Sequence, residues 1–128
     1  MRFDYDDSDD SYDPPAPVVP LRIAHPGDET GVLTAGLVDT GADCTLISAA
    51  LAAALRLPAV GNLEITGVGG GGGIAPVYAA RVEIAGTALV ARLVAYGSDL
   101  IIGRDVLNRL VTLLDGPRLR LRLLSRRR

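Results

Sequence analysis

The sequence predicts a single all-β domain. Short apolar runs separated by turn-forming clusters follow one another from residue 18 onward. Only two stretches carry helix signals, and both are short. A chain of 128 residues has the size of one domain. No internal repeat divides it.

The predicted elements follow in order. Val18 to Ile23 is a strand. His25-Pro26-Gly27-Asp28-Glu29 combines turn formers, so His25 is read as a surface residue and not a catalytic one. Val32 to Val38 is a second strand that ends at Asp39. Thr45-Leu46-Ile47 is a short apolar strand. Ser48 is placed to N-cap a helix over the Ala-rich stretch Ala49 to Leu55, which Pro58 closes. Leu63-Glu64-Ile65-Thr66 alternates as a strand, and Gly69 to Gly73 interrupt it. Val77 to Ile84 and Leu89 to Val94 pair around Ala85-Gly86-Thr87. Leu100-Ile101-Ile102 is fully apolar. Arg104 to Leu110 reads as a short helix with Leu107, Leu110 and Val111 facing inward. Val111 to Leu114 and Leu119 to Leu123 form a hairpin around Asp115-Gly116-Pro117. In its second strand Leu119, Leu121 and Leu123 alternate with Arg118, Arg120 and Arg122, which predicts one buried and one wet face.

Charge is distributed unevenly. The formal net charge is −2, yet residues 1–19 hold six Asp and one Arg, and every basic residue is Arg. Residues 1–17 are expected to be a disordered acidic tail, because they offer too little apolar surface to offset the entropy of ordering. A segment that clamps a dimer or inhibits the site by meeting Arg-rich surfaces is the sharper alternative. Residues 18–124 form the expected domain, and residues 125–128 a basic tail. One Cys excludes an intrachain disulfide framework, and with one His it argues against a protein-only metal centre. Apolar stretches are too short to cross a bilayer. A cytoplasmic location without membrane partners is expected.

Asp39-Thr40-Gly41-Ala42-Asp43 is the most informative stretch, and it occurs once. The buried strand before it delivers one carboxylate to a tight turn. About sixty residues on comes Leu100-Ile101-Ile102-Gly103-Arg104-Asp105-Val106-Leu107. Together the two motifs resemble those of the retropepsin-like aspartic peptidases, the viral proteases and their cellular and bacterial relatives. The resemblance covers residues 17–124 in order. It implies a closed acid-protease barrel with one or two short helices, one lobe per chain.

The chemistry of that family needs two carboxylates sharing a proton and a water. One motif per chain therefore implies a homodimer with one Asp39 from each copy. The ionised carboxylate deprotonates the water and the protonated one hydrogen-bonds the developing oxyanion, without metal or cofactor. By resemblance, the Thr40 hydroxyl crosses the two-fold axis to the partner backbone. Gly41 permits the turn, and Arg104 folds beneath the loop to grip Asp43 as a fork. Gly41, Ala42, Asp43, Cys44, Val68, Gly69, Gly70, Gly71 and Ile74 are expected to contact substrate. Cys44 is read equally as a cleft residue and as a small buried apolar side chain. Ala42 offers no hydroxyl to favour the ionised dyad, which predicts an optimum of about pH 5–6.5.

The Gly69–Gly73 run lacks the Lys of a phosphate-binding loop. It is read as a flap tip over an extended peptide or protein substrate. Arg118, Arg120, Arg122 and Arg126 to Arg128 raise nucleic-acid binding, which the lack of aromatic stacking platforms argues against. A non-catalytic peptide-binding or dimerisation module remains the alternative to an aspartic endopeptidase. An intact Asp39, Thr40 and Gly41 argue against that alternative, since binding alone needs no carboxylate pair.

Overall fold

A computed structural model describes residues 1–5, 12–66 and 72–125. Ten strands and two short helices run β1 (Arg2–Asp4), β2 (Val18–Ala24), β3 (Val32–Val38), β4 (Leu46–Ile47), α1 (Ala49–Ala54), β5 (Ala59–Thr66), β6 (Gly72–Ile84), β7 (Thr87–Ala95), β8 (Ile101–Ile102), α2 (Arg104–Leu107), β9 (Leu110–Asp115) and β10 (Arg120–Ser125). The fold is all-β, as the alternating pattern requires.

A 7-stranded sheet has the order β2-β3-β8-β4-β7-β6-β5. A further β2–β6 pairing, Ile23 opposite Val82, returns the sheet to its start, so the strands close into a ring with β5 outside it. Closure leaves β2 and β6 no free edge at that seam. Inward residues of the ring fill its centre: Val19, Leu21, Ile23, Ile47, Val82, Ile84, Leu93 and Ile102 are all at most 2% exposed. Ala52 of α1 and Val106 of α2 pack on the same core. Ser48 caps α1 through its Oγ, which accepts the Leu51 N–H at 3.1 Å.

The remaining strands form a 3-stranded sheet, β1-β10-β9. Leu121 and Leu123 are fully buried against the ring while Arg120 and Arg122 face outward, the alternation read from the sequence. Leu119 departs from it. It sits in the turn at φ 53° and is 39% exposed. Val111 likewise does not face inward; α2 ends at Leu107, and Val111 lies on β9 at 40% exposure.

Two other expectations change. Residues 2–4 of the supposed tail are a strand, antiparallel to β10 with Phe3 opposite Leu121. Phe3 and Tyr5 pack on the core, supplying the apolar burial that the acidic composition concealed. Asp4 also reaches Arg120 at 3.7 Å. Gly72 and Gly73 belong to β6 and not to a hairpin tip; Gly72 pairs with Thr66 and Gly73 with Ile65. A Cβ on Gly72 would meet the Ile65 carbonyl oxygen at 2.2 Å, which accounts for glycine inside this strand.

Candidate active site

Strand pairing builds the site. β3 and β8 run parallel, with Leu37 opposite Ile101 and Val38 opposite Ile102. Both strands end together, so the loop after Val38 and the turn after Ile102 emerge side by side. The Asp39 N–H donates to the Ile102 carbonyl at 3.0 Å. Asp39 is half-buried, and its Oδ1 accepts the Gly41 N–H at 2.9 Å. That bond orients the carboxylate over its own turn. Ala42 N–H closes the turn on the Asp39 carbonyl at 3.2 Å.

Arg104 holds the loop from below at three points. Its backbone N–H donates to the Ala42 carbonyl at 2.9 Å, and Nη1 donates to the Thr40 carbonyl at 2.7 Å. Nη2 pairs with Asp43 Oδ1. The expected Arg104–Asp43 pair is present, but the fork divides: one arm holds a backbone carbonyl and the other a carboxylate. It therefore spans the loop from Thr40 to Asp43. Both side chains are substantially exposed, so the pair adds geometry more than stability.

Thr45 is the one buried polar side chain among the described residues, at 0% exposure. Its hydroxyl donates to Asp105 Oδ1 at 2.7 Å and accepts the Gly103 N–H at 3.1 Å. Thr45 N–H donates to Asp105 Oδ2 at 3.2 Å, and Asp105 Oδ1 also takes the Val106 N–H at 2.9 Å. This network joins the far end of the Asp39 loop to the start of α2. Sequence reasoning missed it. The signals were a hydroxyl inside the apolar run Thr45-Leu46-Ile47 and an Asp in the second motif to which no contact was assigned.

A hollow of about 450 Å³ opens beside the loop, walled by residues 41–44, Leu46, residues 63–66 and Tyr96. Gly41, Ala42, Asp43 and Cys44 share this wall. Ile74 does not join them; it lies opposite Glu64 on β6, is 76% exposed, and is outside these walls. Val68, Gly69, Gly70 and Gly71 lie outside the described residues. Leu63 and Tyr96 carry no local sequence signal, because only the β5–β6 hairpin and the Tyr96 N–H bond to the Ile47 carbonyl bring them in. Cys44 is half-buried, and its thiol is pushed above the usual cysteine range by burial first, then by Asp105 and Asp43.

Among the described residues no helix is long and apolar enough to cross a membrane. A family model described as "Aspartyl protease" matches residues 25–106, more than half of the chain, taking in Asp39–Asp43 and Leu100–Val106. A search of curated proteins finds no match.

Proposed function

The chain belongs to the aspartyl protease family, and from that premise we propose that it is a homodimeric aspartic endopeptidase using one Asp39 from each copy. One observation carries this reading. Asp39 stands on a loop fixed from beneath by Arg104 and Thr45, beside a hollow of about 450 Å³, and each chain has one such motif.

Water attack on a peptide carbonyl needs a base to take the water's proton and an acid to hold the oxyanion. Two Asp39 carboxylates close together cannot both ionise easily, so the pair keeps one proton and supplies both roles. Gly41 N–H fixes the direction of each carboxylate, and the exposed Thr40 lies at the loop's outer surface, where a partner's loop would meet it. Extended peptide would enter beside β5 and β6 by strand addition, with the Val68–Gly71 segment as the proposed flap. A cytoplasmic location belongs to the same reading, with peptide or protein as the substrate.

The test compares wild type with Asp39→Asn on casein and on a peptide library near pH 6, with mass measured in solution. Cleavage by wild-type dimer alone is expected. Equal cleavage by both proteins overturns the mechanism, and full activity in a strict monomer overturns the shared dyad.

A further inference from the structure

The hollow beside the Asp39 loop does not end at Cys44. Cys44 and Leu63 also wall a second hollow of about 330 Å³, which reaches Arg92 and Asp105. Val60, Arg92 and Asp105 in turn wall a third of about 480 Å³ that extends to Arg109. Shared wall residues set these hollows side by side as a segmented groove, from the candidate active site across β7 to the end of α2. On β7, Val90 and Arg92 are exposed along the groove wall, while Leu93 is fully buried.

Charge changes along this groove. Near Asp39, the Asp43 carboxylate is taken by Arg104, and Glu64 stands on the opposite wall. At the outer end, neither Arg92 nor Arg109 makes an ion pair among the described residues. Asp105 is the acid on that wall, but both its oxygens already accept bonds from Thr45 and Val106. Two guanidinium groups therefore share these apolar walls with the Asp105 carboxylate, and neither is ion-paired with it.

Resting on the peptidase reading, we propose that this groove extends the peptide cleft and that Arg92 and Arg109 select substrates bearing an acidic side chain. The acid lies beyond the residues that flank the scissile bond. In a two-fold dimer each copy provides one groove, and the preference recurs on both sides of the cleavage point. Guanidinium and carboxylate match in geometry and charge, and the exposed setting makes the gain salt-sensitive.

The experiment uses a cleavable peptide in which a single Glu, Gln or Lys is walked through every position. Values of kcat/KM are measured for wild type, Arg92→Gln, Arg109→Gln and the double variant. At one position on each side, Glu is expected to exceed Gln by about tenfold, with Lys poorer still. In the double variant Glu and Gln peptides should converge, while Gln peptides are cut as by wild type. A flat wild-type profile, or a preference that survives in the double variant, overturns the inference. Cleavage of no peptide by wild type removes the peptidase reading instead. The same peptides are then measured for binding to wild type, where equal affinity for Glu and Gln forms overturns the inference as well.

Discussion

Gly103 and Cys44 are in backbone contact: a Cβ built on Gly103 would lie 2.4 Å from the Cys44 carbonyl oxygen and 3.0 Å from that of Ala42. The turn before α2 thus presses directly on the loop that holds Asp39. Neither carbonyl can retreat freely, because Arg104 N–H already grips Ala42 and Thr45 anchors the segment beyond Cys44. Gly103→Ala must push the loop away. We expect it to lower stability by about 1–3 kcal/mol and to reduce peptide cleavage. Urea unfolding and turnover measured together check this, and a variant matching wild type in both contradicts it.

Arg104→Lys separates geometry from stability. A lysine ammonium cannot hold the Thr40 carbonyl and the Asp43 carboxylate through one planar group. Because the pair is exposed, unfolding free energy should change by less than about 1 kcal/mol. Activity should fall about tenfold or more, against little change in the surface control Arg56→Lys. Parallel activity and chemical-denaturation assays decide it, and equal activity in the two variants argues against the clamp.

Thr45→Val keeps shape and removes the hydroxyl. The Gly103 N–H then loses its acceptor and Asp105 Oδ1 one of its donors. A cost of about 1–3 kcal/mol is expected, with Thr45→Ser close to wild type. Thermal unfolding of the two variants side by side provides the comparison.

Cys44 should alkylate slowly. Its raised thiol titration, caused by burial and then by Asp105 and Asp43, leaves less thiolate at neutral pH than an ordinary cysteine holds. Iodoacetamide labelling followed by mass spectrometry should lag behind free cysteine near pH 8 and accelerate as pH rises. Faster labelling than the free thiol contradicts this environment.

Legibility in the sequence followed the range of the interactions. The strand ending at Val38, the Ser48 cap and the buried Leu121 and Leu123 were all readable, because each depends on local periodicity or on one capping bond. Asp43 with Arg104 was readable through paired motifs, although the division of the fork was not. Strand β1 was hidden, since its burial comes from a partner more than a hundred residues away. The groove walls were hidden for the same reason: Cys44, Leu63 and Arg92 converge only through the pairing of β4, β5, β6 and β7. Thr45 and Asp105 lay in plain view, but their bond spans sixty residues.

The most direct test of the shared dyad is a mixing titration. Wild-type protein is held at a fixed concentration at which solution mass shows dimer, and Asp39→Asn protein is added with time for subunit exchange. Each mixed dimer has one carboxylate, so peptide cleavage should fall steadily as the variant rises, toward zero at large excess. Cleavage that stays constant while mixed dimers form would contradict the claim that two Asp39 side chains act together.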